Sequence, residues 1–342
     1  MGALELLSVH LGSTLGLYDA LLAGDGLTPP ELADRAGIGA RYAREWLEQQ
    51  AVAGLVTVDD AAAAEDGRRY SVPAAHAPVL ADPESLAYVA PFGALLAGVG
   101  EALPKLVDAY RTGGGVPYAD YGAAFRGGQG AINRPAYTHD LPGSWLPALV
   151  DVHERLLAEP PGRVAEIGCG QGWAALAVAR AYPRVRVDGF DLDDASIEEA
   201  AANADEAGLG DRVRFELRDA TELAAAGPYD LILILEALHD FARPVEALAG
   251  ARAALTPDGS ILVADERVAD RFTAPGDEVE RAMYGWSVLH CLPVGMSEQP
   301  SAATGTVMRT ETLRKYAHEA GFSDVEVLPI ENDFWRFYRL TP

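Results

Sequence analysis

From residue 163 onward the apolar residues fall into short runs separated by stretches with a helical repeat. Val164-Ala-Glu-Ile, Val185-Arg-Val-Asp-Gly-Phe, Val213-Arg-Phe-Glu-Leu-Arg, Tyr229-Asp-Leu-Ile-Leu-Ile-Leu and Ser260-Ile-Leu-Val-Ala read as five strands. The fourth is almost wholly apolar, as a central parallel strand covered on both faces should be. Trp173-Ala-Ala-Leu-Ala-Val-Ala-Arg and residues 244–255 supply helices between them, and Asp258-Gly259 makes the turn into the fifth strand. Strands alternating with helices predict a doubly wound, mostly parallel α/β sheet. Phe334-Trp335-Arg-Phe337-Tyr338 alternates as a final strand, expected as the last of an antiparallel pair at the sheet edge with its rings in the core.

The N-terminal third has a different pattern. Leu4, Leu7, Leu11, Leu15 and Tyr18 recur at helical spacing, which suits either a partner helix or packing within the same domain. Thr28-Pro-Pro-Glu31 is a capping box with proline at the first helical position, and its helix breaks at Gly37. A second helix over 40–53 stops at Gly54; Leu55-Val-Thr-Val and Arg69-Tyr-Ser-Val then form two short strands. Two helices and a small wing make a mainly α, winged-helix-like unit. More helix follows over 86–110, and Gly113-Gly-Gly115 is a flexible joint. The expected division is 1–85 for the winged-helix-like domain, 86–145 for a helical connector reaching the active site, and 146–342 for the catalytic domain.

The most informative stretch is Val164-Ala-Glu-Ile-Gly-Cys-Gly-Gln-Gly, where a strand enters a glycine loop that opens a helix. Backbone can approach a ligand closely there. The dinucleotide fingerprint needs a third glycine where this chain has Trp173, so the spacing argues against NAD. Glu166, two residues before Gly168, would repel a pyrophosphate but suits a ligand carrying an ammonium and a sulfonium. S-adenosylmethionine is such a ligand. The loop resembles the first motif of the class I S-adenosylmethionine-dependent methyltransferases, an acidic residue followed by G-x-G-x-G.

That resemblance implies a seven-stranded sheet and a set of cofactor contacts at successive strand ends. Glu166, Gly168, Cys169 and Gly170 belong to the loop; Asp191, closing the second strand, would take the ribose hydroxyls with Leu192 beside it. Asp219 would lie by the adenine amino group with Ala220 nearby, and Glu236 closes the fourth strand. Asp193 and Asp194 read as N-cap and first-turn charges of the next helix.

Composition narrows the partners. The chain has 342 residues, 49% of them hydrophobic, so a second domain precedes the 200 or so that this fold uses. The formal charge is −24, and residues 1–75 carry 11 acidic against 5 basic side chains. Phosphate binding requires a basic face, so a nucleic-acid substrate and a DNA-reading winged helix are both disfavoured. A cofactor-sensing DNA-binding regulator is the rival of another class. There is no apolar run of membrane-spanning length and no positive region of a signal peptide, which implies a cytoplasmic protein. The two cysteines, Cys169 and Cys291, give neither a disulfide framework nor metal-ligand spacing, and no metal is expected.

Methyl transfer is an in-line displacement that needs alignment and, for a hydroxyl or ring N–H acceptor, removal of a proton. His239, three residues past Glu236 at the carboxyl end of the fourth strand, is the candidate base; a structural role, capping the next helix or packing on adenosine, is the plain alternative. Leu238-His239-Asp240-Phe241 is similar to the Leu-His-Asp-Trp motif of small-molecule O-methyltransferases of secondary metabolism, in which this histidine is the base, with phenylalanine here replacing tryptophan. The resemblance further implies that Glu266 orients the histidine and that the N-terminal domain forms a homodimer. Residues 269–308 are too long for an ordinary connection and read as a lid or substrate-binding insertion. Tyr284, Trp286, His290 and Glu298 in it, with Tyr137 before the first strand, would line a pocket; His290 and Glu298 are the alternative acid/base pair. Arg134 or Tyr137 could reach the cofactor carboxylate or the substrate. The expected activity is methylation of a small aromatic metabolite, at oxygen by preference and otherwise at carbon or nitrogen of a heteroaromatic such as an indole, giving S-adenosylhomocysteine.

Overall fold

The computed structural model describes residues 2–342 and resolves into two compact units, 2–100 with 123–135, and 101–122 with 136–342. Within the stretch 86–145 the two long helices, α6 (Phe92–Thr112) and α7 (Gly122–Asp140), each divide between the units.

The first unit begins with α1 (Gly2–Thr14) and α2 (Leu17–Leu22), then α3 (Pro29–Ala36) and α4 (Ala40–Val52), a two-residue wing β1 (Thr57–Val58) paired antiparallel with β2 (Tyr70–Ser71), and the short α5 (Ala77–Leu80). Thr28 and Glu31 form the reciprocal capping box that starts α3, and Gly37 ends it in the left-handed conformation. The leucine pattern of α1 is resolved by burial. Val9 and Gly12 face inward while Leu4, Leu7, Leu11 and Leu15 are exposed, and Tyr18 is buried with its hydroxyl donating to Gln50 Oε1 at 2.6 Å.

The second unit is built on seven strands in the order β5-β4-β3-β6-β7-β9-β8. They are β3 (Arg163–Ile167), β4 (Arg186–Asp191), β5 (Val213–Leu217), β6 (Tyr229–Leu235), β7 (Leu255–Glu266), β8 (Asp324–Val327) and β9 (Trp335–Thr341). All neighbours are parallel except β9, which runs antiparallel to both β7 and β8. The last strand is thus inserted second from the edge, and β8 is the edge. Helices α8 (Leu146–Ala148) and α9 (Val150–Leu157) precede β3; α10 (Trp173–Ala181), α11 (Asp194–Glu206) and α12 (Pro244–Ala253) link the parallel strands.

Strand periodicity splits the core into two layers. Val164, Leu231, Leu233, Leu262 and Ala264 pack on one face with Trp145 and Phe337; Ala165, Ile167, Ile232, Ile234, Ile261 and Val263 pack on the other with Leu238, Leu248 and Leu313. The order reverses between β3 and β6, so their carboxyl ends lie side by side at the switch point where such sheets bind ligands. The glycine loop follows β3 and the Leu238-His239-Asp240 turn follows β6. The insertion 269–308 holds α13 (Glu278–Trp286), a π-turn Ser287–Cys291 and α14 (Leu292–Gly295), and α15 (Thr310–Glu319) follows. No helix among the described residues is long and apolar enough to cross a membrane.

Candidate active site

Three glycines give the loop its course. Gly168, Gly170 and Gly172 have φ of 70°, 48° and 80°, in the left-handed region where a side chain is strained. A Cβ on Gly168 would stand 2.6 Å from the Ala237 Cβ, and one on Gly172 would stand 2.3 Å from the Phe215 ring. One on Gly170 would meet nothing. The outer glycines are fixed by packing, and the central one leaves backbone open to a ligand.

Two carboxyls flank this loop, Glu166 buried and Asp191 partly buried. Glu166 accepts from the Ala175 N–H at 2.8 Å, near the start of α10. Burial raises its pKa to about 8, with the charge of Asp191 adding to the effect. Asp191 holds the loop to β4: its Oδ2 accepts from Gly170 N at 2.8 Å and its Oδ1 from Asp193 N at 2.9 Å. Burial raises its pKa as well. Each carboxylate oxygen has two acceptor sites, so those bonds leave room for further donors. An open glycine backbone between two desolvated acids fits a cationic adenosyl ligand, with Glu166, the loop, Asp191 and Leu192 available to hold it. Leu192 is exposed, whereas Ala220 is buried. Asp219 caps the turn Ala220–Ala225 through Thr221 N at 2.8 Å and is ion-paired to Arg243 at 2.7 Å. Arg243 has no counterpart in the sequence reading. Cys169 is buried, and burial lifts its thiol pKa well above the ordinary value, which leaves it a packing residue.

His239 is 3% exposed, and its Nδ1 lies 2.9 Å from Asp265 Oδ1. The hydrogen-bond partner of its ring is thus Asp265 and not the neighbouring Glu266. Alternation along β7 explains this: Asp265 follows Ile261 and Val263 to the layer of Leu238, while Glu266 follows Leu262 and Ala264 to the layer of Trp145 and Phe337. Burial of His239 favours neutral imidazole, but the carboxylates of Asp265 and Asp240 outweigh it and hold the pKa well above the usual histidine value. Asp240 stands 3.5 Å from Nε2; burial pushes its own carboxyl up to about 6.

Glu236 occupies a left-handed conformation, φ 52°, directly after β6, and accepts from the Trp335 indole N–H. A carboxylate residue held there costs roughly 1–2 kcal/mol and such strain gathers at functional sites. Glu266 lies against Glu236, and burial together with that carboxyl drives its pKa well up. Trp335 stacks with Tyr137 at 6.3 Å and meets Trp145 edge-on at 5.3 Å. Trp335 packs against the core as expected and also turns its indole N–H to Glu236, where register 266↔335 across β7 and β9 places it.

The insertion contributes unequally. His290 is buried, edge-on to Tyr121 at 4.7 Å and to Tyr118 at 5.7 Å, and burial lowers its pKa to about 3. Glu298 sits on an exposed turn. Tyr284 is partly exposed and bonded to Arg309, and Trp286 is half-buried. Cys291 is buried beside His239, and its pKa is pushed up to about 12 by burial, so its thiol stays protonated. Arg134 pairs with Glu84.

Comparison with known proteins agrees with this architecture. Residues 159–320 match the family described as a methyltransferase domain, and residues 2–82 match an Rv2258c-like winged helix-turn-helix domain. The chain is 29% identical over 127 residues to a trans-aconitate 2-methyltransferase of Streptomyces avermitilis, covering 37% of this chain and 46% of that protein. It is 35% identical over 96 residues to a tRNA1(Val) (adenine(37)-N6)-methyltransferase of Yersinia pestis, covering 27% of this chain and 35% of that one. The chain thus spans less than half the length of these curated relatives. Among solved structures it is similar to the mitomycin 7-O-methyltransferase MmcR (TM-score 0.70, 20% identity, 100% and 95% of the two chains). LaPhzM (0.72, 19%, 100% and 96%) and human N-acetylserotonin methyltransferase in complex with SAM (0.68, 16%, 99% and 94%) are similar in the same way. At these identities the likeness is one of fold. Beside the glycine loop and the seven-stranded sheet, the chain thus carries a methyltransferase domain over residues 159–320, preceded by a winged helix-turn-helix domain over residues 2–82.

Proposed function

We propose that the protein methylates a small, flat aromatic metabolite, at a hydroxyl oxygen by preference, with His239 removing the proton. The observation that carries this is the buried His239–Asp265 pair on the turn after β6, beside the glycine loop. When bound, S-adenosylmethionine supplies an electrophilic methyl group on a sulfonium. The loop backbone and Asp191 position the cofactor, with the Glu166 carboxyl beside them. Asp265 holds His239 in the tautomer with the proton on Nδ1, which leaves Nε2 to accept the acceptor's proton, and stabilises the imidazolium that results. Burial excludes water from that transfer.

The rings near the turn support a planar substrate: Tyr118 and Tyr121 around His290, and Tyr137, Trp145 and Trp335 around Glu236. The structural neighbours include enzymes named for 7-O-methylation of mitomycin and for N-acetylserotonin. The net charge of −24 argues against a nucleic-acid substrate, despite the partial match to a tRNA methyltransferase. The exposed leucines of α1 form the face through which two copies would pair.

Calorimetry with S-adenosylhomocysteine, followed by turnover on a panel of phenols and indoles, tests the reading. Wild type should bind, Asp191→Ala should not, and His239→Ala should bind without turning over. Failure of wild type to bind would end the proposal, while turnover of indoles alone would move the acceptor to carbon or nitrogen.

A further inference from the structure

Beyond methyl transfer, one group of side chains has the composition of a metal site. His239, Asp240 and Cys291 each present a ligand atom, all three within 4.8 Å of one another, and both His239 and Cys291 are buried. Histidine Nε2 and Asp240 Oδ1 are 3.5 Å apart. Around a tetrahedral zinc ion, with Zn–N and Zn–O near 2.0–2.2 Å and Zn–S near 2.3 Å, ligand atoms stand about 3.3–3.6 Å from each other. The observed triangle is of that size or up to about one ångström wider.

Two further observations point at the centre of the triangle. Asp240 Oδ1 is shielded from solvent and has no hydrogen-bond partner, an arrangement a neutral interior leaves costly and a cation would satisfy. On the far side of the ring, His239 Nδ1 is bonded to Asp265, whose Oδ1 is fixed by the Glu266 N–H at 3.0 Å. A carboxylate behind a ligating histidine fixes its tautomer and raises its basicity, as outer-shell partners of zinc ligands do. The three ligands come from the turn after β6 and from the π-turn Ser287–Cys291, the kind of helix irregularity that accompanies functional sites.

We propose that His239, Asp240 and Cys291 bind a divalent cation of borderline softness, with Zn2+ the best fit to one nitrogen, one oxygen and one sulfur. A metal–sulfur bond forms as the thiol S–H bond breaks, and the proton passes to solvent. The cation occupies the Nε2 lone pair that proton removal requires. Cation binding and methyl transfer therefore exclude each other, and this consequence alone rests on the proposed role of His239.

Co2+ serves as the probe, added to the full chain under reducing conditions. One equivalent should produce the near-ultraviolet sulfur-to-cobalt charge-transfer band and the strong visible bands of a four-coordinate site, and Zn2+ should erase both. Cys291→Ser should lack the charge-transfer band while still binding S-adenosylhomocysteine. Asp265→Asn should keep the band but require about tenfold more Co2+ or beyond. No charge-transfer band in wild type overturns the proposal without recourse to any variant, and a band that survives in Cys291→Ser overturns it too. Zn2+ that binds with these signatures yet leaves turnover untouched would support the metal site and reject His239 as the base.

Discussion

Replacing Asp265 with asparagine isolates the charge behind His239 while keeping the shape. Asp265 is 1% exposed; its Oδ1 meets His239 Nδ1 at 2.9 Å and the Glu266 N–H at 3.0 Å. An asparagine carbonyl can accept both of those bonds, so what is lost is the negative charge that stabilises imidazolium. A hydrogen bond to a charged group contributes ~1.5–3 kcal/mol, which predicts a fall in kcat/KM of ~10–150-fold. The new amide N–H2 replaces Oδ2, which has no partner, and a buried unsatisfied donor costs about 1–3 kcal/mol, so Tm should drop by a few degrees. The pH profile separates this from a merely structural defect. The Asp265 and Asp240 carboxylates raise the His239 pKa, so wild-type activity should rise with pH through a limb above the usual histidine range, as imidazolium loses its proton. In Asp265→Asn that limb moves to lower pH, and the deficit shrinks toward acid. The assay is S-adenosylhomocysteine formation on the best phenol of a panel, from neutral to alkaline pH. A variant within about twofold of wild type, with an unmoved limb and intact cofactor binding, would refute the coupling of Asp265 to the base.

Four other outcomes follow from the same geometry. Gly168→Ala, with φ 70° and a 2.6 Å clash against Ala237, should weaken S-adenosylhomocysteine binding by about tenfold or more in calorimetry, since strain and overpacking of ~1–3 kcal/mol fall on the loop itself. Glu166, whose pKa is raised by burial to about 8, binds more protons folded than unfolded between about pH 4.3 and 8, so the free protein should lose stability as pH climbs through that window, and denaturant titration of Glu166→Gln should show a flatter dependence. Asp230 accepts from Arg155 Nε at 2.9 Å and from Arg163 N at 2.8 Å at the start of β6, so Asp230→Ala should cost about 1–3 kcal/mol by denaturant titration and leave cofactor affinity unchanged. Leu4→Asp with Leu11→Asp should convert a dimer to monomer in light scattering without altering circular dichroism; monomeric wild type would refute the pairing face.

Features that depend on local geometry are legible along the chain. The alternation of apolar runs is legible as β3 to β7, because a strand buried on both faces must be apolar along its buried length, and Leu231–Leu235 is so buried. The capping box at Thr28 and the glycines of the loop after β3 were legible because each satisfies a backbone requirement within a few residues. The family resemblance then carried the cofactor and the His239 turn. Contacts made by residues far apart in the chain were decided only in three dimensions. Which of the adjacent acids Asp265 and Glu266 meets His239 depends on strand parity, and a one-residue difference sends the two side chains to opposite layers. Trp335 reaches Glu236 through the register of an antiparallel strand inserted between β7 and β8, which no local pattern specifies. Cys291 lies 52 positions beyond His239, at no metal-ligand spacing; the π-turn Ser287–Cys291 and the packing of the insertion bring the thiol to the ring. Spacing along the chain encodes neighbours along a helix or loop, whereas the meeting of distant side chains is set by sheet order, register and packing.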